Sequence, residues 1–110
     1  MIQANPDLKA IFGTNEGSAE GAVQGTTEAG KAGTVLVAGY DSGKAQIDAI
    51  NSGLMFGAIT QNPVGIGEQC VDAAVKAIGG QTLPKTIDTG FYWYDKTNIT
   101  DPQIQAVLYQ

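Results

Sequence analysis

Apolar residues recur along this chain in two alternating rhythms. Nearly continuous apolar runs stand at residues 8–13 (LKAIFG), 34–40 (TVLVAGY) and 54–60 (LMFGAIT), and a fourth lies within 86–95 (TIDTGFYWYD). Between them, apolar positions fall three or four residues apart. The first rhythm predicts strands, and the valine-rich 34–40 run predicts one covered on both faces of a parallel sheet. The second predicts amphipathic helices. The first strand is entered through the turn Asn5-Pro6-Asp7, and the helix after it takes Ser18 as its cap, with Ala22, Val23, Thr26 and Ala29 on one face and Gly30 at its end.

A second helix starts from Ser42, places Ala45, Ala49 and Ile50 together, and stops before Gly53. Pro63 suits the first position of a third helix, whose stripe holds Val64, Gly67, Val71, Ala74, Val75 and Ile78 before Gly79-Gly80 ends it. Asp101-Pro102 opens a short closing helix. The order β-α-β-α-β-α-β-α predicts an α/β fold: a three-layer αβα arrangement around a mainly parallel, flavodoxin-like sheet of about four strands. At 110 residues the chain is expected to form a single domain, 1–110.

Composition narrows the functions. Hydrophobic residues make up 43% and charged residues 15%, a balance that suits a packed fold and not a disordered chain. Six scattered lysines against eleven acids give a net charge of -5, so a nucleic-acid partner is not expected. No apolar run approaches the roughly 20 residues of a membrane-spanning helix. The opening MIQANPDLK has neither a basic nor an apolar signal region, and no export signal is expected in it. Cys70, the single cysteine, falls within an apolar helical pattern and is expected to be buried and structural.

Candidate chemistry gathers after the strands. Thr14-Asn15-Glu16 follows the first, Asp41-Ser42 the second and Gln61-Asn62 the third. Parallel α/β sheets bind ligands at the carboxyl ends of their strands, so these residues should share one edge. Amides and a carboxylate together both donate and accept, which suits the hydroxyls of a neutral sugar. The same residue types also serve as ordinary caps and loop residues. Without histidine, triads and His-based metal sites are absent, and the carboxylates Glu16 and Asp41 alone do not make a catalytic pair; neither catalytic residues nor a metal or cofactor is expected. The aromatic run Phe91-Tyr92-Trp93-Tyr94 could stack on a sugar, but on a strand its alternate members are expected to divide between core and surface.

The run DLKAIFGTNEGSAEGA, followed by VLVAGYDSGKAQIDAINSGLMFGAITQNPVGIG and the closing IDTGFYWYDKTNITDPQIQAVLYQ, resembles the C-terminal part of type I periplasmic sugar-binding proteins, the ribose-binding-like substrate-binding proteins of bacterial ABC transporters. The resemblance covers essentially the whole chain but only the last part of the family pattern. It implies a truncated C-terminal lobe in residues 1–61, a helix over 62–85 that in the family packs on the missing N-terminal lobe, and a returning strand and tail over 86–110. It implies monosaccharide contacts, to a pentose or hexose, at Asn15, Asp41 and Gln61, a membrane permease as partner of the parent form, and a periplasmic or extracytoplasmic location.

Several other readings stay open. One is a flavodoxin-like half-domain without sugar affinity that self-associates through an exposed strand edge or the 63–78 helix. Another is the sensing domain of a lactose-repressor-type regulator, against which the tail argues. A phospho-acceptor domain built on Asp41 lacks the acidic partners that Mg²⁺ requires.

Overall fold

The computed structural model describes residues 1–109. Strands β1 (Ala10–Phe12), β2 (Leu36–Tyr40) and β3 (Gly57–Gln61) run parallel, and β4 (Phe91–Asp95) lies antiparallel beside β3, giving the sheet order β1-β2-β3-β4. Helices α1 (Glu16–Glu28), α2 (Lys44–Ser52), α3 (Pro63–Ile78) and α4 (Pro102–Gln105) follow the strands in turn. The fold is the expected α/β class, a mainly parallel open sheet of the three-layer type.

Local signals explain most of the boundaries. Pro63 occupies the first turn of α3, where its missing N–H is not needed, and the Asn62 side chain accepts from Gly65 N at 3.0 Å. Gly53 ends α2 in the left-handed region (φ 80°), and the N–H groups of Leu54 and Met55 both donate to Ala49 O. That closure occupies Leu54 and Met55, so β3 begins later than its apolar run suggests. The cap of α1 is Asn15 and not Ser18: Asn15 Oδ1 accepts from Ser18 N at 2.9 Å, while Ser18 Oγ accepts from Asn15 N at 3.1 Å. Ser18 is therefore the reciprocating member of a capping box.

Strands β1, β2 and β3 are added in one direction, and α1 and α2 pack against each other on one face of the sheet, as crossovers of one hand require. The core lies there. Val37, Ala58 and Tyr94 from the sheet meet Ala19 of α1, Ile47 and Ile50 of α2, Met55, and Ile99 and Ile104 of the tail. Ala19 sits so close to the sheet that a Cβ at Gly13 would run into it, and a Cβ at Gly39 would run into the buried Gln46 side chain.

The opposite face is different. Burial along β2 alternates, with Val37 and Gly39 covered while Leu36 is 48% exposed; the expected cover on both faces is not found. Phe12, Phe56 and Phe91 are exposed as well, and Trp93 is half-buried against Phe56, ring centroids 5.8 Å apart. The aromatic run thus divides as its period demands, with Tyr94 in the core and Phe91 and Trp93 on the other side.

Helix α3 buries none of its residues. Its stripe of Val64, Val71, Val75 and Ile78 is exposed, and Cys70, expected to be buried, is exposed with it because no element packs on this helix. The radius of gyration is 17.5 Å, against about 13 Å for a compact chain of this length. The helix does not fold back onto its own sheet.

Asp95 fastens the far end of β4. Its carboxylate accepts from Thr97 Oγ1 at 2.6 Å, Thr97 N at 2.8 Å and Trp93 Nε1 at 2.8 Å. These bonds, the Thr97 hydroxyl's first and the indole's next, hold its pKa below the usual carboxylate value. A depressed folded pKa gives stability that is complete above the unfolded value near 4 and is lost as pH falls through the folded one. Asp95→Asn should therefore lower the urea midpoint at pH 7, with the gap to the parent chain closing as the pH is taken down below the unfolded value of about 4. A gap that does not change with pH would show that ionisation of Asp95 contributes nothing.

Candidate functional site

The carboxyl ends of β1, β2 and β3 bring their following residues to one edge of the sheet, as parallel strands must. Asp41 follows β2 with φ 78°, the one positive-φ residue other than glycine among the described residues. Aspartate tolerates the left-handed region better than most residues, yet some cost remains. Two backbone bonds hold it there. Asp41 N donates to Ile59 O at 2.7 Å, and the Tyr94 hydroxyl donates to Asp41 O at 2.7 Å. The carboxylate is then met by Gln61, whose Nε2 donates to Asp41 Oδ1 at 3.1 Å across the β2–β3 pair.

Of the three residues expected to contact a ligand, Asp41 and Gln61 are thus joined directly. Asn15 shares the edge, but its Oδ1 is committed to the α1 cap, leaving its Nδ2 as the group it can turn outward. Gln61 keeps its Oε1 as an acceptor and its remaining N–H as a donor, while Asp41 Oδ2 remains an acceptor beside them. The edge therefore presents both donors and acceptors.

Further residues complete the edge: Glu16 and Ser42, which the strand-end groups already hold without a ligand role, and Tyr109, which they do not. Glu16, the first residue of α1, lies against Gly43, where any Cβ would collide with its carboxylate. Tyr109 reaches back from the tail so that its hydroxyl donates to Glu16 Oε2 at 3.3 Å, and its N–H donates to Ser42 Oγ at 3.3 Å. Buried Ser42 also accepts from Thr60 Oγ1 at 3.0 Å, which fastens the tail to the ends of β2 and β3. Only the spacing of Tyr94 within β4 hinted at its inward position; nothing local in the sequence marks Tyr109.

Charge is concentrated here. Burial above all, and then Tyr109, Glu16 and Asp41 nearby, push the Tyr94 phenol far above the ordinary tyrosine range, so it remains a donor at working pH. Burial also raises Tyr109, with Asp41 and Glu16 adding to it against the opposing Ser42 bond. An edge with two carboxylates and no lysine within hydrogen-bonding reach of them favours neutral ligands over anionic ones.

Comparison with known proteins gives this edge a context. A family model described as the periplasmic binding protein domain matches residues 1–82. The ribose import binding protein of Bacillus subtilis (strain 168) is 31% identical over 87 residues, which cover 79% of this chain and 28% of that protein. The D-allose-binding periplasmic protein of Escherichia coli (strain K12) is 35% identical over 85 residues, covering 76% of this chain and 27% of that protein. Among solved structures, an ABC transporter solute-binding protein from Agrobacterium vitis bound with α-D-tagatopyranose superposes with a TM-score of 0.92 at 38% identity, covering 99% of this chain and 37% of that one. A second from the same organism, with bound D-fucose, superposes at 0.89 with 35% identity, covering 98% of this chain and 37% of that one. These relatives are binding proteins, not enzymes, and the chain spans between a quarter and two fifths of their length. By the family match over most of its residues, and by relatives above 30% identity, the chain belongs to the periplasmic binding protein domain family.

Proposed function

We propose that this chain is part of the sugar-binding component of an ABC-type carbohydrate importer, and that it carries one side of the binding cleft. Residues 1–61 and 86–110 form part of the C-terminal lobe, and 62–85 form the helix and return that would meet an N-terminal lobe. Asn15, Asp41 and Gln61 are its monosaccharide contacts, for a pentose or a hexose. The parent form works outside the cytoplasm with a membrane permease. One observation carries the reading: Asp41 and Gln61 are bonded to each other at the carboxyl edge with hydrogen-bonding capacity left over. It is supported by the names of the relatives, which bind ribose and D-allose, and by the sugars bound in the matching solved structures.

A thermal-shift panel of aldopentoses and aldohexoses, up to about 100 mM, tests it directly. Ligand at about three times its Kd adds about 0.8 kcal/mol, enough to raise Tm by several degrees in a chain of this size. The expected result is a shift with at least one sugar that disappears in Asp41→Ala. A flat panel at all concentrations would leave a family member without the activity.

A second reading, self-association, is favoured by the exposed α3 stripe and the uncovered sheet face. The chain exposes 6973 Å². Surface-to-mass scaling gives about 5,800 Å² for a compact monomer of this size, so roughly 1,200 Å² is in excess, more than the about 800 Å² that each partner gives to a standard interface. A second copy would cover it through α3 or the free edge of β1. Sedimentation velocity at tens of micromolar is expected to show a dimer or larger species, weakened at least tenfold by Val71→Asp with Val75→Asp. A monomer with a radius of gyration near 13 Å would mean instead that α3 packs on its own chain.

A further inference from the structure

Tyr94 has a role that neither the family match nor the strand-end pattern assigns. It is fully buried on the core face of β4, and its hydroxyl reaches the backbone carbonyl of Asp41 at 2.7 Å, across the intervening strand β3. Asp41 is the residue at which β2 turns into the left-handed region, and its carboxylate leaves that turn to meet Gln61. A turn of this kind, in a residue with a Cβ, persists only when its surroundings hold it. The carbonyl on one side and the N–H on the other are the two handles available, and both are taken, by Tyr94 and by Ile59 O.

We propose that Tyr94 is a positioning residue: its hydroxyl clamps the Asp41 carbonyl and so aims the Asp41 carboxylate at Gln61 and at the ligand side of the edge. The ligand part of this inference rests on the sugar-binding reading; the clamp itself does not. Tyr94 never touches the sugar. It acts from beneath, and it is in place only because β4 returns antiparallel beside β3 and puts Tyr94 next to Ala58 on the core face. The tail-end strand thereby sets the geometry of a residue 53 positions earlier in the chain.

Tyr94→Phe removes one oxygen and keeps the ring that fills the core. Amide hydrogen exchange on the intact chain then separates a clamp from a general loss of stability. In the variant, the Asp41 N–H is expected to exchange about tenfold faster beyond whatever change is seen at core amides such as Ile50, because a lost neutral hydrogen bond is worth about one factor of ten. If Asp41 accelerates only as much as the core amides, the clamp is wrong. Calorimetry with the sugar that shifts the parent chain is expected to show a comparable loss in affinity. Should the parent bind no sugar, the binding reading fails while the exchange result still decides the clamp. Should Tyr94→Phe alone not fold, Asp41→Gly is added, since glycine enters the left-handed region without a side-chain penalty. Recovery of the fold in the double variant supports the clamp, and failure to recover overturns it.

Discussion

Two successive parallel crossovers in the same direction place α1 and α2 on one face of the sheet, and the rest of the molecule is arranged around that one-sidedness. Every large buried side chain lies between those helices and the strands or in the tail that closes the same layer. A sheet covered on one side still leaves half of its alternating residues without a partner. Here those residues include Phe12, Leu36 and Phe91, with Trp93 covered only in part by Phe56, a face too apolar for the solvated side of a sheet. They are composed for contact, as is the exposed stripe of α3. The apolar pattern therefore leaves surface that residues 1–109 do not cover by themselves.

The same crossovers produce the candidate site. Strands that run parallel finish at a common edge, and the polar residue after each strand arrives there without any special local signal. What the edge then requires is precision. Three fastenings provide it: the capping box that fixes Asn15 at the head of α1, the Tyr94 bond that fixes Asp41, and the Tyr109–Ser42–Thr60 set that ties the tail across the ends of β2 and β3. Two of the three depend on residues after 90. The return through 79–90 to β4 thus completes the edge as well as the sheet.

Element order and most boundaries were readable because they rest on local chemistry: alternation of period two, stripes of period three to four, proline at the start of α3, glycine at the end of α2. The three strand-end residues were readable for the same reason, since their position follows from topology. What escaped reading was set by distant partners. Cys70 has the neighbours of a buried residue in sequence, but whether it is buried depends on an element that packs on α3, and none does here. Ser18 and Asn15 are equally good caps by type; their spacing of three lets both take part, and backbone geometry decides which comes first. The left-handed turn at Asp41 is invisible in VAGYDSG, because the residue that holds it lies 53 positions away.

The energetics of the proposed site follow from the same geometry. On the sugar-binding reading, Asn15, Asp41 and Gln61 would together offer one charge-assisted hydrogen bond and two neutral ones, a net gain of about 2.5 to 6 kcal/mol. Association costs at least about 4 kcal/mol in lost freedom of motion before any contact is counted. The balance leaves at most about 2 kcal/mol, which puts a single lobe at roughly tens of millimolar affinity or weaker, since 1 mM already requires about -4 kcal/mol. Stronger binding requires water to be excluded from the sugar's remaining hydroxyls and ring faces, and hydrogen bonds to a charge gain most when the site is closed. A second surface over the edge supplies that, whether it is an N-terminal lobe or another copy of the chain. The carboxyl edge determines where and how a sugar would be held; the covering surface determines how tightly.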